Sequence, residues 1–145
     1  MKNQNRVFLI VLVSVVSIML SALAWLTNFG WLRAYLFVKG IPFIHATVFL
    51  AINVFSAFFY EKCHKIGKVN LIFTITYLLV NILLPDFGDV ASGYFFFGFV
   101  KDGNFLTAAM IISIVLLAVH IALLAVQIIM MVNVRIKEKR RLRKE

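Results

Sequence analysis

Ser113, His120 and Gln127 recur every seven residues along one apolar stretch, which on a helix places a hydroxyl, an imidazole and a carboxamide on a single face. His120 is the titratable member of that stripe. An imidazole inside an apolar segment can relay a proton, ligate a metal or hydrogen-bond a neighbouring helix. Helical spacing also aligns Asn53, Ser56 and Tyr60 on an earlier stretch, with His45 two turns nearer its start. Thr74, Tyr77 and Asn81 share a face on a third, and Ser14, Ser17, Ser21 and Ala24 give the first stretch a stripe of small residues. Matching by depth puts His45 and Asn81 towards the outside, Asn53 and His120 near the middle, and Gln127 and Tyr60 towards the cytoplasm. The ordinary role of such faces is to join helices, each polar pair contributing about 0.6 kcal/mol. The sharper alternative is a polar path or ligand site built around His120.

Other chemistry is narrowed by what the stretches lack. None of them contains Asp, Glu, Lys or Arg. Ion-coupled pumps and proton-driven exporters commonly use an intramembrane carboxylate, so that class is weakened. Asp86 and Asp89 lie three residues apart on a connecting segment, where a solvated loop end is expected rather than an acid–base pair. The single cysteine, Cys63, allows no intramolecular disulfide and excludes dithiol redox chemistry. Cys63 and His64 supply two metal ligands where a closed zinc site takes about four. No catalytic constellation, metal or cofactor is therefore expected.

The elements that must position these residues follow from composition. Of 145 residues, 63% are hydrophobic and 14% charged; a soluble domain carries about 45–50% and about 25%. A bilayer can accommodate that apolar surface. Crossing about 30 Å of hydrocarbon takes about 20 helical residues, and four stretches qualify: 7–27, 42–60, 69–84 and 105–134. Pro42 suits a helix start and Pro85 a helix stop. The last stretch outruns a bilayer, which predicts tilt or continuation into the basic tail. The fold class expected is an all-α integral membrane protein, a four-transmembrane-helix bundle forming one domain over 1–145. A fifth run, Ala91 to Val100, is too short to span and reads as interfacial or re-entrant.

Orientation follows from Lys and Arg. With the N-terminus inside, twelve fall on the cytoplasmic side and three, Arg33, Lys39 and Lys101, outside. The positive-inside rule then places both termini in the cytoplasm of a multi-pass protein of the cell (cytoplasmic or inner) membrane. Cleavage after Ala24, where Ala22-Leu23-Ala24 resembles a signal-peptidase site, is the alternative; it would leave three helices and an outside N-terminus. The uncharged first run is longer than the usual signal core, which favours retention.

Two surfaces complete the reading. Arg135, Lys137, Lys139, Arg140, Arg141, Arg143 and Lys144 form a basic tail, 135–145, directly behind the last apolar run. There it is an anionic-lipid contact rather than a nucleic-acid site, since no aromatic-interleaved basic face accompanies it. At the other side thirteen of 21 aromatic residues gather, among them Trp31, Tyr35, Tyr94, Phe95, Phe96 and Phe97. The segment 28–41 can lie in the interface as a helix, with Trp31, Leu32, Tyr35 and Leu36 on one face. The expected function is a non-enzymatic interaction, regulatory or immunity-type module acting through this aromatic outer surface. Its partners would be the bilayer, anionic lipids and another membrane protein or a second copy of the chain. The alternative is a small transporter or lipid-flipping carrier, oligomeric, using the polar seam around His120.

Overall fold

The computed structural model describes residues 2–60, 62–87, 93–94, 96–97, 99 and 103–143. Among the described residues are five helices: α1 (Lys2–Thr27), α2 (Trp31–Val38), α3 (Ile41–Phe59), α4 (His64–Leu83) and α5 (Gly103–Leu142). Four of them, all but α2, are long and apolar enough to cross a membrane. The β structure among the described residues is one short antiparallel pairing of β1 (Asp86–Phe87) with β2 (Gly93–Tyr94), Asp86 opposite Tyr94.

Each boundary has a local cause. The interfacial helix expected over 28–41 is confined to eight residues because glycines bracket it. Gly30 is its extended N-cap, and Gly40 takes φ 71°, the left-handed turn that ends one helix and opens the next. Pro42 sits in the first turn of α3, where its missing N–H is harmless. Leu84, preceding Pro85, swings to ψ 111° and closes α4. At their charged ends α4 and α5 run beyond the apolar stretches. α4 begins at His64 and carries Lys65 and Lys68, and α5 continues through the basic tail to Leu142. Lys and Arg are good helix formers, so the limit of apolarity is not the limit of helix.

α4 packs against α1, α3 and α5, α1 against α3, and α3 also against α5. α4 is the central member, with 44% of its apolar window buried against 17% to 22% for the other three long helices. An aromatic column forms the core. Phe49 stacks on Tyr77 at 3.8 Å and tilts against Phe73 at 5.5 Å, and Phe73 stacks on His120 at 4.1 Å. Elsewhere the usual polarity is reversed. Among the described residues, fifteen buried side chains are polar or charged and eight are hydrophobic, while Leu, Ile, Val and Phe cover the outside.

Candidate functional site

The polar faces meet inside the bundle as a ladder of separate rungs. Nearest the end that carries both termini, Asn70 Oδ1 receives Gln127 Nε2–H at 2.9 Å and Ser56 Oγ–H at 2.8 Å. One step further in, Asn53 Nδ2–H donates to Ser14 Oγ at 2.9 Å, and the Ser14 hydroxyl donates to the Ile10 carbonyl. Beyond the Phe49–Phe73 layer, His120 Nδ1 lies 3.1 Å from Thr76 Oγ1. The Thr76 hydroxyl also reaches the Phe73 carbonyl at 2.9 Å. With its proton directed there, it accepts from His120 Nδ1–H. His45 packs edge-on to His120 at 5.0 Å and against Tyr77 at 4.8 Å. Further out, Trp25 Nε1–H donates to Asn81 Oδ1 at 2.8 Å, and Asn81 Nδ2–H to the Tyr77 carbonyl. Ser113, buried on the same stripe as His120 and Gln127, bonds its own Met110 carbonyl. Within the ladder His45 Nε2, Asn53 Oδ1 and Gln127 Oε1 are enclosed without a hydrogen-bond partner among the described residues.

The depth matching needs correction. His45, not Asn53, stands level with His120, and Asn53 pairs with Ser14 on α1. The error has a geometric source. α5 spans 40 residues against 19 in α3, so at 1.5 Å per residue it is roughly twice as long and overshoots α3 at both ends. The midpoint of its apolar run is therefore not the midpoint of the bundle.

A second correction concerns Asp86. It is no solvated loop end: it is fully buried and acts as the missing cap of α2. Oδ2 accepts the Gly30 and Arg33 backbone N–H at 2.9 and 2.8 Å, and Oδ1 accepts the Leu32 N–H at 3.0 Å. A helix N-terminus offers unpaired N–H groups and a positive dipole end, so a carboxylate fits there. Arg33 completes the knot. Also fully buried, it donates to the carbonyls of Ala24, Asn81 and Leu84, with its guanidinium 5.2 Å from the Trp25 ring centre. Burial pushes its pKa down to about 10, partly opposed by Asp86, and it stays protonated at neutral pH. One side chain thus ties α2 to the ends of α1 and α4.

The consequence for the aromatic face is direct. α2 turns Arg33 inward and its aromatics outward, with Trp31 and Tyr35 exposed at 69% and 61%. Phe37 packs against Phe29 and Phe43, and these three border an apolar cleft of about 230 Å³ whose inner wall includes Ser21, Tyr77 and Asn81. Phe96 and Phe97 both adopt left-handed backbone, φ 51° and 57°, and Phe96 is about half exposed. Phe95 and the side chain of Tyr94 lie outside the described residues. At the opposite end Arg135, Lys137, Lys139, Arg140 and Arg141 are exposed on α5 and Arg143 just beyond it; Lys144 lies outside the described residues.

Sequence reasoning singled out the ladder's Asn53, His120, Gln127 and Asn81 but missed Asn70, Thr76, Arg33 and Asp86. A signal for the last two was present. A lone cation in an otherwise apolar eight-residue helix has to find compensation, and Asp86 is one of the few acids on the same side. Among the described residues no three His, Cys, Asp or Glu side chains come together. Comparison with known protein families, curated proteins and solved structures finds no match for this chain.

Proposed function

We propose that this chain is a multi-pass protein of the cytoplasmic membrane, with both termini in the cytoplasm. It works there as a non-enzymatic interaction module, regulatory or immunity-type, that docks another membrane protein on its outer aromatic face. The reversed polarity supports the membrane placement: apolar side chains outside and hydrogen-bonded polar ones inside suit a hydrocarbon solvent. The observation that carries the docking role is the Arg33–Asp86 knot. It anchors the α2 backbone, so Trp31 and Tyr35 are presented from a fixed helix, which lowers the entropic cost of binding. Aromatic residues are the commonest anchors of binding surfaces.

The carrier reading has one observation in its favour, the unpartnered His45 Nε2 beside His120. A comparison of two variants separates the readings. A photo-crosslinking residue at position 29 should give one discrete adduct with a membrane protein in intact cells. Trp31→Ser with Tyr35→Ser should abolish that adduct while expression and helix content hold, and His120→Ala should leave it intact. If the adduct survives the α2 changes but disappears with His120→Ala, the docking reading is wrong and the seam carries the function.

A further inference from the structure

We infer that the cleft between the ends of α3 and α5 is a site for one anionic phospholipid of the cytoplasmic leaflet, an inference that rests on the membrane placement proposed above. The cleft measures about 710 Å³, within the ~300–1,000 Å³ of ordinary ligand sites. It exists because α3 stops at Phe59 while α5 runs on to Leu142, leaving the flank of α5 without a neighbour.

Its two halves differ in character along the helix axes. Phe55 and Phe58, exposed at 59% and 62%, form an apolar floor facing the lipid side. Lys62, Arg135 and Lys139 stand at the other end around the single acid Glu138, a formal surplus of two positive charges. Two of these cations are held in place. Lys62 Nζ is 2.6 Å from Glu138 Oε1, and the Arg135 guanidinium lies 5.8 Å from the Phe59 ring centre. Phe55 and Phe58 lie within α3 whereas Lys62 follows its end at Phe59, so the phenyl floor and the cations are offset along the bundle axis, as acyl chain and phosphate are in a bilayer leaflet. A phospholipid standing in the leaflet would lay its chains on the two phenyl rings and put its phosphate among the three cations. A soluble anion would leave the phenyl floor uncovered, so the lipid is the occupant the surface fits. This site is distinct from the diffuse attraction of the tail, because Lys62 and the phenyl floor come from outside it.

The test uses the full chain purified in mild detergent and native mass spectrometry with added phosphatidylglycerol or phosphatidylcholine. The unmodified chain should retain one phosphatidylglycerol after partial delipidation, in preference to phosphatidylcholine, and inorganic phosphate should not displace it. Lys62→Gln with Arg135→Gln should weaken that retention about twenty-fivefold, each charge contributing about fivefold. Lys62→Arg with Arg135→Lys should preserve it, which separates charge from folding. The tail variant Arg140→Gln, Arg141→Gln, Arg143→Gln and Lys144→Gln should keep the bound lipid and lose only salt-sensitive vesicle binding. Equal retention of both lipids, displacement by phosphate, or loss in the tail variant alone would each overturn the site. A chain that stays monomeric and soluble without detergent would overturn the membrane placement and the site together.

Discussion

Arg33 and Asp86 are the residues on which the outer end turns, and their energetics can be separated by substitution. Arg33 has no ready replacement: its planar fork reaches three carbonyls on two different helices. Arg33→Ala would strip the cation from beside a buried carboxylate and leave those carbonyls without it. The expected loss is about 3–5 kcal/mol, because two or three charge-assisted bonds to buried carbonyls, each worth about 1.5–3 kcal/mol, are removed. Asp86→Asn keeps an acceptor oxygen but removes the charge that faces the α2 N-terminus; a cost of about 1–2 kcal/mol is expected. The ordering Arg33→Ala worse than Asp86→Asn should appear in thermal unfolding followed by circular dichroism in micelles. Arg33→Lys should fall near the alanine variant, since a point charge cannot bridge the same carbonyls. Near wild-type stability for Arg33→Ala would show that the knot holds nothing together.

At the scale of elements, the contact between α4 and the end of α3 depends on a missing side chain. A Cβ placed on Gly67 would lie 2.1 Å from Tyr60 Cε2, so the tyrosine ring occupies the space that any other residue would fill. Arg6 of α1 in turn sits over the same ring, its guanidinium 5.2 Å from the centre. Two effects oppose each other in Gly67→Ala. Alanine improves helix propensity by up to about 1 kcal/mol, whereas overpacking costs about 1–3 kcal/mol. The expected result is net destabilisation with Tyr60 present and stabilisation in a Tyr60→Ala background. Denaturant unfolding of the four chains in a double-mutant cycle measures that change of sign. The elements themselves were largely legible, because apolar runs of spanning length and seven-residue polar spacing survive in any reading of the chain. Their mutual register was not. It depends on how far α5 overshoots its neighbours, which periodicity does not encode, and on long-range pairs such as Asp86 with the α2 N-terminus, 53 to 56 residues apart. The ladder residues were found one helix at a time, but partners such as Asn70 and Thr76 carry no spacing signal of their own.

For the whole molecule, the separation of charge from aromatic surface supports the proposed orientation. Lys62 and the basic turns of α5 meet at one end, where Lys62 and Glu138 pair, while the aromatic α2 face and the Arg33 knot occupy the other. Arg33 is one of the three basic residues assigned to the outside, and its burial accounts for how a cation is tolerated there. Setting Arg33 aside, the count from the sequence becomes two basic residues expected outside against twelve expected inside, which strengthens the positive-inside bias behind the proposed orientation. A reporter fused after Lys144 and another inserted beside Cys63 should therefore both report cytoplasm, and one at Asp89 the outside. Cys63 gives an independent measurement because it is the single cysteine and is partly exposed between α3 and α4. A membrane-impermeant maleimide added to intact cells should leave it unmodified, and the same reagent should label it once the membrane is opened. Labelling from outside, or a cytoplasmic signal at Asp89, would invert the molecule. The basic cleft and tail would then face away from the anionic cytoplasmic leaflet, and the aromatic face would have to meet its partner in the cytoplasm.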